Sequence, residues 1–155
     1  MKNLIVFLSS LLILATSLSA DPGKEVTANL SGTLIYGADI VEDGKKPLSG
    51  ALREVIKKDS DLSHQHYYEL GKDHTSVYKA YESWLRPLKP SEKFMVKCEP
   101  KAKTSKGQKL VMSFWLDKEI VFSTDVIDLA YDVPVLISGP KWREGKVIIA
   151  VQLEH

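Results

Sequence analysis

Three of the four histidines of this chain fall in one short stretch, "SHQHYYELGKDH", residues 63–74. His64 and His66 are spaced His-x-His, and two residues at that spacing on one strand face lie about 7 Å apart. Such a pair can chelate zinc or copper, but a metal site needs a third ligand and usually a fourth. His74 becomes a candidate third ligand if a tight hairpin near Gly71 returns it to the pair.

The competing interpretation of this stretch is a strand edge that carries partly exposed imidazoles. A strand predicted over 64–71 places His64, His66 and Tyr68 on one face and Glu69 on the other, away from a metal. An isolated His-x-His pair also lacks the fixed spacing to further Cys or His that makes a zinc signature specific. We favour the strand edge and predict no cofactor, with metal binding or a metal-dependent activity as the alternative.

A second group of candidate residues is Lys141, Trp142 and Arg143, in the segment "SGPKWREG". Apolar runs flank this segment, so we predict a hairpin with a longer loop and these three residues at or near its tip. Trp and Arg dominate interface energetics, which favours a contact with an envelope protein or a polysaccharide. The alternative is that Trp142 folds back over the hairpin and caps the core.

Other patterns in the chain do not indicate catalysis. There is no Gly-x-Ser-x-Gly nucleophile elbow, and in "GPKWREGK" the proline removes an amide that a phosphate loop would need. An acidic run is better explained by hairpin ends and exposed strand positions than by paired catalytic carboxylates. We therefore predict a protein without enzymatic activity. The acidic residues are Asp117, Asp125, Asp128 and Asp132.

A cluster of lysines surrounds the polar segment "PKAKTSKGQK". It could meet an anionic surface such as lipid headgroups or an acidic polysaccharide. Lysines on strand edges also prevent edge-to-edge pairing, and we favour this second role. The lysines are Lys97, Lys101, Lys103, Lys106 and Lys109.

Residues 1–20 have the pattern of a secretory signal peptide: a positive start, an apolar run and small residues up to Ala20. The apolar run is shorter than the roughly 20 residues of a membrane span. We predict cleavage after Ala20, no remaining transmembrane anchor, and export to the periplasm or beyond. The 21 basic and 20 acidic residues of the whole chain become 20 and 20 when Lys2 is removed, so charge does not steer the protein to nucleic acid.

Residues 21–155 are predicted to form a single domain. Its one cysteine, Cys98, cannot make an internal disulfide and is predicted to be a buried small hydrophobe. Trp84 and Trp115 lie within predicted strands and are expected in the core. Stability must therefore come from packing.

The elements that position these residues are predicted to be strands with one helix. "VTANLSGTLIY" alternates apolar and polar residues, as a half-buried strand does. "PLSGALREVIKKD" has apolar residues at helical spacing, with Pro47 at the predicted start and two lysines at the end. The order predicts an α+β fold, mainly an antiparallel sheet or sandwich of about seven or eight strands with one short amphipathic helix. The later strands are predicted over 64–71, 75–85, 92–99, 108–116, 119–129, 133–138 and 146–153.

Several short motifs resemble those of a family of uncharacterised small exported bacterial proteins. The motifs are "TLIYGAD", "HYYELG", "YESWLRPLKPSEKF", "LVMSFWLDKEIVFSTDV" and the closing "LISGPKWREGKVIIAVQL". The resemblance covers most of residues 21–155. It implies a single β-rich exported domain and assigns no catalytic residue.

Overall fold

The computed structural model describes residues 20–155, and most of these lie in two antiparallel sheets. The α+β class is confirmed, with more strands than the seven or eight predicted. Only Ala20 of the predicted signal peptide is among the described residues. The signal-peptide prediction therefore concerns residues that lie outside the described part of the chain. The elements are a short 3-10 turn (Pro22–Lys24), β1 (Val26–Ala38), β2 (Lys46–Pro47), α1 (Gly50–Lys58), β3 (His66–Tyr78), β4 (Ser83–Leu85), β5 (Phe94–Lys103), β6 (Gly107–Leu116), β7 (Glu119–Ser123), β8 (Ile127–Ala130), β9 (Val135–Trp142) and β10 (Gly145–Glu154).

The two sheets pack face to face around the main core. The first sheet has the order β2-β3-β1-β10-β9, and the second has the order β4-β5-β6-β7. β8 also pairs with β6, beyond the end of β7, so β7 and β8 follow each other along one edge of β6. The alternation predicted for β1 places Leu30 and Leu34 in this core. Other fully buried members come from both sheets and include Leu85, Val96, Leu110, Met112, Ile149 and Val151.

Helix α1 covers part of the outer face of the first sheet. Its predicted start at Pro47 is wrong, because Pro47 lies in the edge strand β2 and pairs with Tyr68, and the helix begins at Gly50. The two lysines predicted for the last turn are there. Within residues 20–155 we find no helix with the length and apolar character needed to cross a membrane. The cluster buried under α1 is Ile35, Leu48, Ile56, Leu62, Ile148 and Ala150.

Strand β3 runs without interruption through Gly71, the residue at which the first of the predicted strands 64–71 and 75–85 was expected to end. The pairing with β1 shifts by one residue at Leu70, which is a β-bulge. A Cβ atom on Gly71 would lie 2.1 Å from the carbonyl oxygen of Lys89, so glycine is needed here for close approach of a neighbouring segment. The predicted strands 64–71 and 75–85 are therefore largely one strand.

Two hairpins close tightly. Asp117 and Lys118 have φ angles of 50° and 70°, as the central residues of a type I′ turn require, and this confirms the predicted hairpin at "WLDKE". The β9–β10 hairpin is also tight, because Trp142 pairs with Gly145 and leaves a two-residue loop. The longer loop predicted there is wrong: the extra length is a β-bulge near residues 139–140.

Trp84 and Trp115 do not lie in the core, contrary to the expectation. Their strand neighbours Leu85 and Phe114 face the other sheet, so alternation turns the two indoles to the outer face of the second sheet. The two rings lie 5.5 Å apart, and each residue is only partly buried.

Candidate functional site

Trp142 is the last residue of β9 and faces the inner side of the first sheet, at its end. Its ring packs edge-on against Tyr36, with centroids 4.9 Å apart and an interplanar angle of 80°. Trp142 nevertheless remains 37% exposed. The indole therefore packs against the core and stays accessible to a ligand, a combination of the two alternatives raised by the sequence.

Four aromatic rings form a row at this end of the molecule: His66, Tyr68, Tyr36 and Trp142. Tyr68 lies between Tyr36 at 6.4 Å and His66 at 6.5 Å, stacked with both. The Tyr36 hydroxyl is buried, close to Glu42 and to the backbone of Glu144. Burial, and secondarily the negative charge of Glu42, raises the pKa of Tyr36, so the hydroxyl stays protonated at neutral pH.

The loop between β1 and β2 brings charges to Trp142. One carboxylate oxygen of Glu42 lies 3.4 Å from Nη1 of Arg143 and 3.9 Å from Nζ of Lys45. Cζ of Arg143 and Nζ of Lys45 lie 4.5 Å and 5.9 Å from the centroid of a Trp142 ring. Glu42 therefore holds two cations within cation–π distance of the indole.

A cleft of about 340 Å³ opens beside Trp142, between the two sheets; we call it the Trp142 cleft. Lys45 and Lys93 line it and supply positive charge. Ser91 supplies the one neutral polar side chain among its described lining residues. The arrangement can accept an apolar group and hold a negative charge beside it. The apolar lining is Leu34, Leu70, Pro90, Phe94, Trp142 and Val147.

The three predicted contact residues do not face the same way. Lys141 and Trp142 are adjacent in β9, so their side chains point to opposite faces. Lys141 lines a separate cleft of about 400 Å³ together with His64. Arg143, in the turn with φ of 52°, reaches both this cleft and the indole. The structure therefore groups Arg143 with Trp142 and separates Lys141 from it.

The three candidate metal ligands are not brought together. His66 and His74 lie eight residues apart in the continuous strand β3, a separation of about 26 Å. No hairpin returns His74 to His64 and His66, and His74 instead lies beside Glu154, with Nδ1 and Oε2 3.5 Å apart. Within residues 20–155 no group of three or more His, Cys, Asp or Glu side chains is placed to hold a metal ion.

His64 and His66 also differ in their surroundings. His64 precedes β3 and packs against Tyr67, whereas His66 stacks on Tyr68. Tyr67 belongs to the cluster under α1 and Tyr68 packs with the aromatic row, on opposite faces of β3. The predicted single face for the two histidines is therefore wrong. Nδ1 of His64 lies 3.3 Å from a carboxylate oxygen of Asp39.

Sequence reasoning missed several residues of the Trp142 cleft. Lys45 comes from the loop between β1 and β2, Lys93 directly precedes β5, and Phe94 is the first residue of β5. They meet Trp142 only because the loop after β1 and the segment before β5 converge on the β9–β10 hairpin. The one local signal in the sequence was the tight spacing of charges in "EDGKK".

Comparisons with known protein families, with curated proteins and with solved structures found no match to this chain. The functional assignment therefore depends on the geometry of the Trp142 cleft and on the sequence patterns.

Proposed function

We propose that this chain is an exported bacterial binding module, without enzymatic activity, that contacts a component of the cell envelope through the Trp142 cleft. The observation that carries the proposal is an indole that forms a wall of an inter-sheet cleft and is still 37% exposed. An accessible Trp flanked by an Arg is typical of a contact anchor.

The lining of the cleft favours an apolar group with a nearby negative charge over a sugar ring. Sugar hydroxyls that enter a cleft need acceptors as well as donors; Lys45 and Lys93 only donate, and Ser91 is the one neutral polar side chain among the described lining residues. Lys93 is exposed and its ion pair with Asp117, 3.2 Å between Nζ and Oδ2, is weak enough to exchange for a ligand anion. A fatty acyl chain with an anionic head has this chemistry.

The location is supported by the signal-peptide pattern of residues 1–20. Fractionation of cells that express the full chain tests it: the recovered protein should lie outside the cytoplasm and its mass should correspond to a start at Asp21. Recovery of uncleaved protein from the cytoplasm would contradict export.

The ligand proposal is tested by calorimetry with two amphiphiles of equal chain length and opposite charge, dodecanoate and dodecyltrimethylammonium, both below their micellar concentrations. The affinity for dodecanoate should be at least about tenfold higher than the affinity for the cationic amphiphile, a difference of about 1.4 kcal/mol or more in binding free energy. Trp142→Ala should weaken dodecanoate binding by about the same factor, because the apolar wall is lost.

The matched control is Trp84→Ala, which removes a partly buried indole from the outer face of the second sheet. This variant should bind dodecanoate as the wild type does. Thermal unfolding of both variants establishes that they are folded. Equal binding of the two amphiphiles, or unchanged binding by folded Trp142→Ala, would refute the assignment.

A further inference from the structure

The cleft that contains Lys141 lies at the end of the first sheet, on the face turned away from the second sheet; we call it the Lys141 cleft. Val147 of β10 lies in the inter-sheet core, so the adjacent Lys146 points to the outer face. Lys141 pairs with Lys146 and points the same way. The site is therefore separate from the Trp142 cleft and does not need the ligand proposed there. Its lining is His64, Lys141, Arg143, Glu144, Gly145 and Lys146.

Two lysines oppose each other across the ladder that forms the floor of this cleft. Lys141 of β9 and Lys146 of β10 are direct cross-strand partners. Like charges in this position are destabilising. Neither ammonium group forms an ion pair with a residue in 20–155. The described part of the chain therefore supplies no counter-ion for the pair, and a bound anion would offset the repulsion.

The strand next to β10 brings an imidazole to the two lysines. Gly37 is the partner of Lys146 in β1, and a Cβ atom on Gly37 would lie 2.7 Å from Cδ2 of His64. Glycine at this position therefore lets the imidazole lie over β1, beside Lys146. Nδ1 of His64 lies 3.3 Å from a carboxylate oxygen of Asp39, which does not line the cleft. The nitrogen-bearing side chains of His64, Lys146 and Lys141 thus form a row across β1, β10 and β9.

The charge of the lining is positive. Three of its side chains are cationic, and the carboxylate of Glu144 is the single anionic group among them, which leaves a net of two positive charges when His64 is neutral. Arg143 shares part of its charge with Glu42, at 3.4 Å, whereas Glu144 pairs with no cation of residues 20–155.

Hydrogen-bonding capacity and charge together favour a phosphate group as the ligand. Lysine and arginine side chains only donate hydrogen bonds, and a sugar hydroxyl needs an acceptor as well. A phosphomonoester presents three strong acceptor oxygens and carries about −1.5 to −2 charges at neutral pH. Its charge matches the net charge of the lining, whereas a carboxylate or a phosphodiester carries a single negative charge.

We propose that the Lys141 cleft binds the phosphate group of a phosphomonoester. Lys141 and Lys146 hold the phosphate between them, and charge-assisted hydrogen bonds to its oxygens replace their mutual repulsion. Arg143 contributes from the turn, and His64 closes the side of the site over β1. The phosphate belongs either to a soluble compound or to a lipid headgroup, two sources that share this chemistry and that binding measurements distinguish.

Calorimetry on the full protein with glycerol 3-phosphate and dimethyl phosphate tests the site, because these ions share a phosphorus centre and differ in charge. The affinity for glycerol 3-phosphate should be at least about tenfold higher. Lys141→Gln/Lys146→Gln removes both charges and should lower that affinity by at least about tenfold. Because the same variant also removes the repulsion in the empty site, its thermal unfolding midpoint without ligand should be no lower than that of the wild type.

The matched control is Lys103→Gln/Lys106→Gln, which removes the same charge from the β5–β6 hairpin. This hairpin lies at the opposite end of the molecule, because Gln108 beside it contacts Thr27 at the start of β1, whereas the Lys141 cleft lies near Gly37 at the end of β1. The control variant should bind glycerol 3-phosphate as the wild type does. Equal weakening by the two double variants would mean that only the total charge matters, and would overturn the proposal.

Vesicles distinguish the two sources of the phosphate. Phosphatidylcholine vesicles are prepared with phosphatidic acid, a phosphomonoester lipid, or with phosphatidylglycerol, a phosphodiester lipid. Capture of the protein by the phosphatidic acid vesicles alone, lost in Lys141→Gln/Lys146→Gln, assigns the site to a lipid headgroup. Calorimetric binding of glycerol 3-phosphate without capture by vesicles assigns it to a soluble phosphomonoester. The proposal is overturned if neither probe binds, or if the singly charged probes bind as tightly as their doubly charged counterparts.

Discussion

The thiol of Cys98 shows how burial sets chemistry at the scale of one residue. Cys98 lies fully buried between the sheets, and burial raises the pKa of its thiol from 9.0 to about 12. In the unfolded chain the thiol ionises near pH 9, whereas in the folded protein it stays neutral up to about pH 12. Above pH 9 the unfolded state is favoured because only its thiol can ionise. The contribution of the thiol to the free energy of unfolding is therefore fully present below pH 9 and is lost as the pH rises to about 12.

To check this prediction, the free energy of unfolding of the wild type and of Cys98→Ala is measured by chemical denaturation at several alkaline pH values. The wild type should lose stability more steeply than the variant over that pH range, since tyrosines and lysines titrate equally in both. At neutral pH the folded wild type should also resist thiol-directed reagents until denaturant is added. Rapid labelling of the folded protein would show that Cys98 is accessible.

At the scale of elements, Gly71 couples the long strand β3 to the segment that lines the Trp142 cleft. An alanine Cβ at Gly71 would lie 2.1 Å from the carbonyl oxygen of Lys89, a backbone atom that must then move. Gly71→Ala should lower the free energy of unfolding by about 1–3 kcal/mol, as overpacking does, and should weaken dodecanoate binding because Pro90 and Ser91 are displaced with Lys89. Urea denaturation and calorimetry measure the two effects.

The neighbouring Lys72→Ala is the matched control for Gly71→Ala. Lys72 is partly exposed, and its ion pair with Glu154, 3.3 Å between Nζ and Oε1, lies at the surface. This substitution should change the free energy of unfolding by less than about 1 kcal/mol. Equal effects of the two substitutions would mean that close approach at Gly71 is not what stabilises β3.

The sequence was sufficient for elements whose signals are local. Alternation identified β1, helical spacing identified α1, and the turn at residues 117–118 followed from its short polar loop between apolar runs. Gly71 and Pro47 were misassigned because their local preferences, turn and helix start, were outweighed by contacts with segments distant in sequence. Trp84 and Trp115 were misassigned because alternation specifies two faces without specifying which one is buried.

The candidate site was accessible from sequence only in part. Trp142 and Arg143 are adjacent in the chain, so their local chemistry was visible. Lys45, Lys93 and Phe94 join them through the packing of three separate segments, a juxtaposition that no single pattern encodes. The histidines show the opposite case, because residues that are close in the sequence are separated in the structure. His64 and His66 pack against different tyrosines, and His74 lies farther along β3.

At the scale of the whole molecule, the core joins the two sheets into one cooperative unit. It draws Leu30 and Ile149 from the first sheet and Val96 and Met112 from the second, so either sheet alone would expose its inner face to water. We therefore predict a single two-state unfolding transition for residues 20–155.

The tryptophans allow each sheet to be followed separately. Trp142→Phe leaves the fluorescence of Trp84 and Trp115 on the second sheet, and Trp84→Phe/Trp115→Phe leaves Trp142 on the first. In each variant the urea midpoint from fluorescence should coincide with the midpoint from far-ultraviolet circular dichroism, because both sheets unfold together. Circular dichroism on the same sample corrects for any stability change caused by the substitutions. A fluorescence midpoint that precedes the circular dichroism midpoint in one variant would show that the sheet carrying the remaining tryptophan opens first.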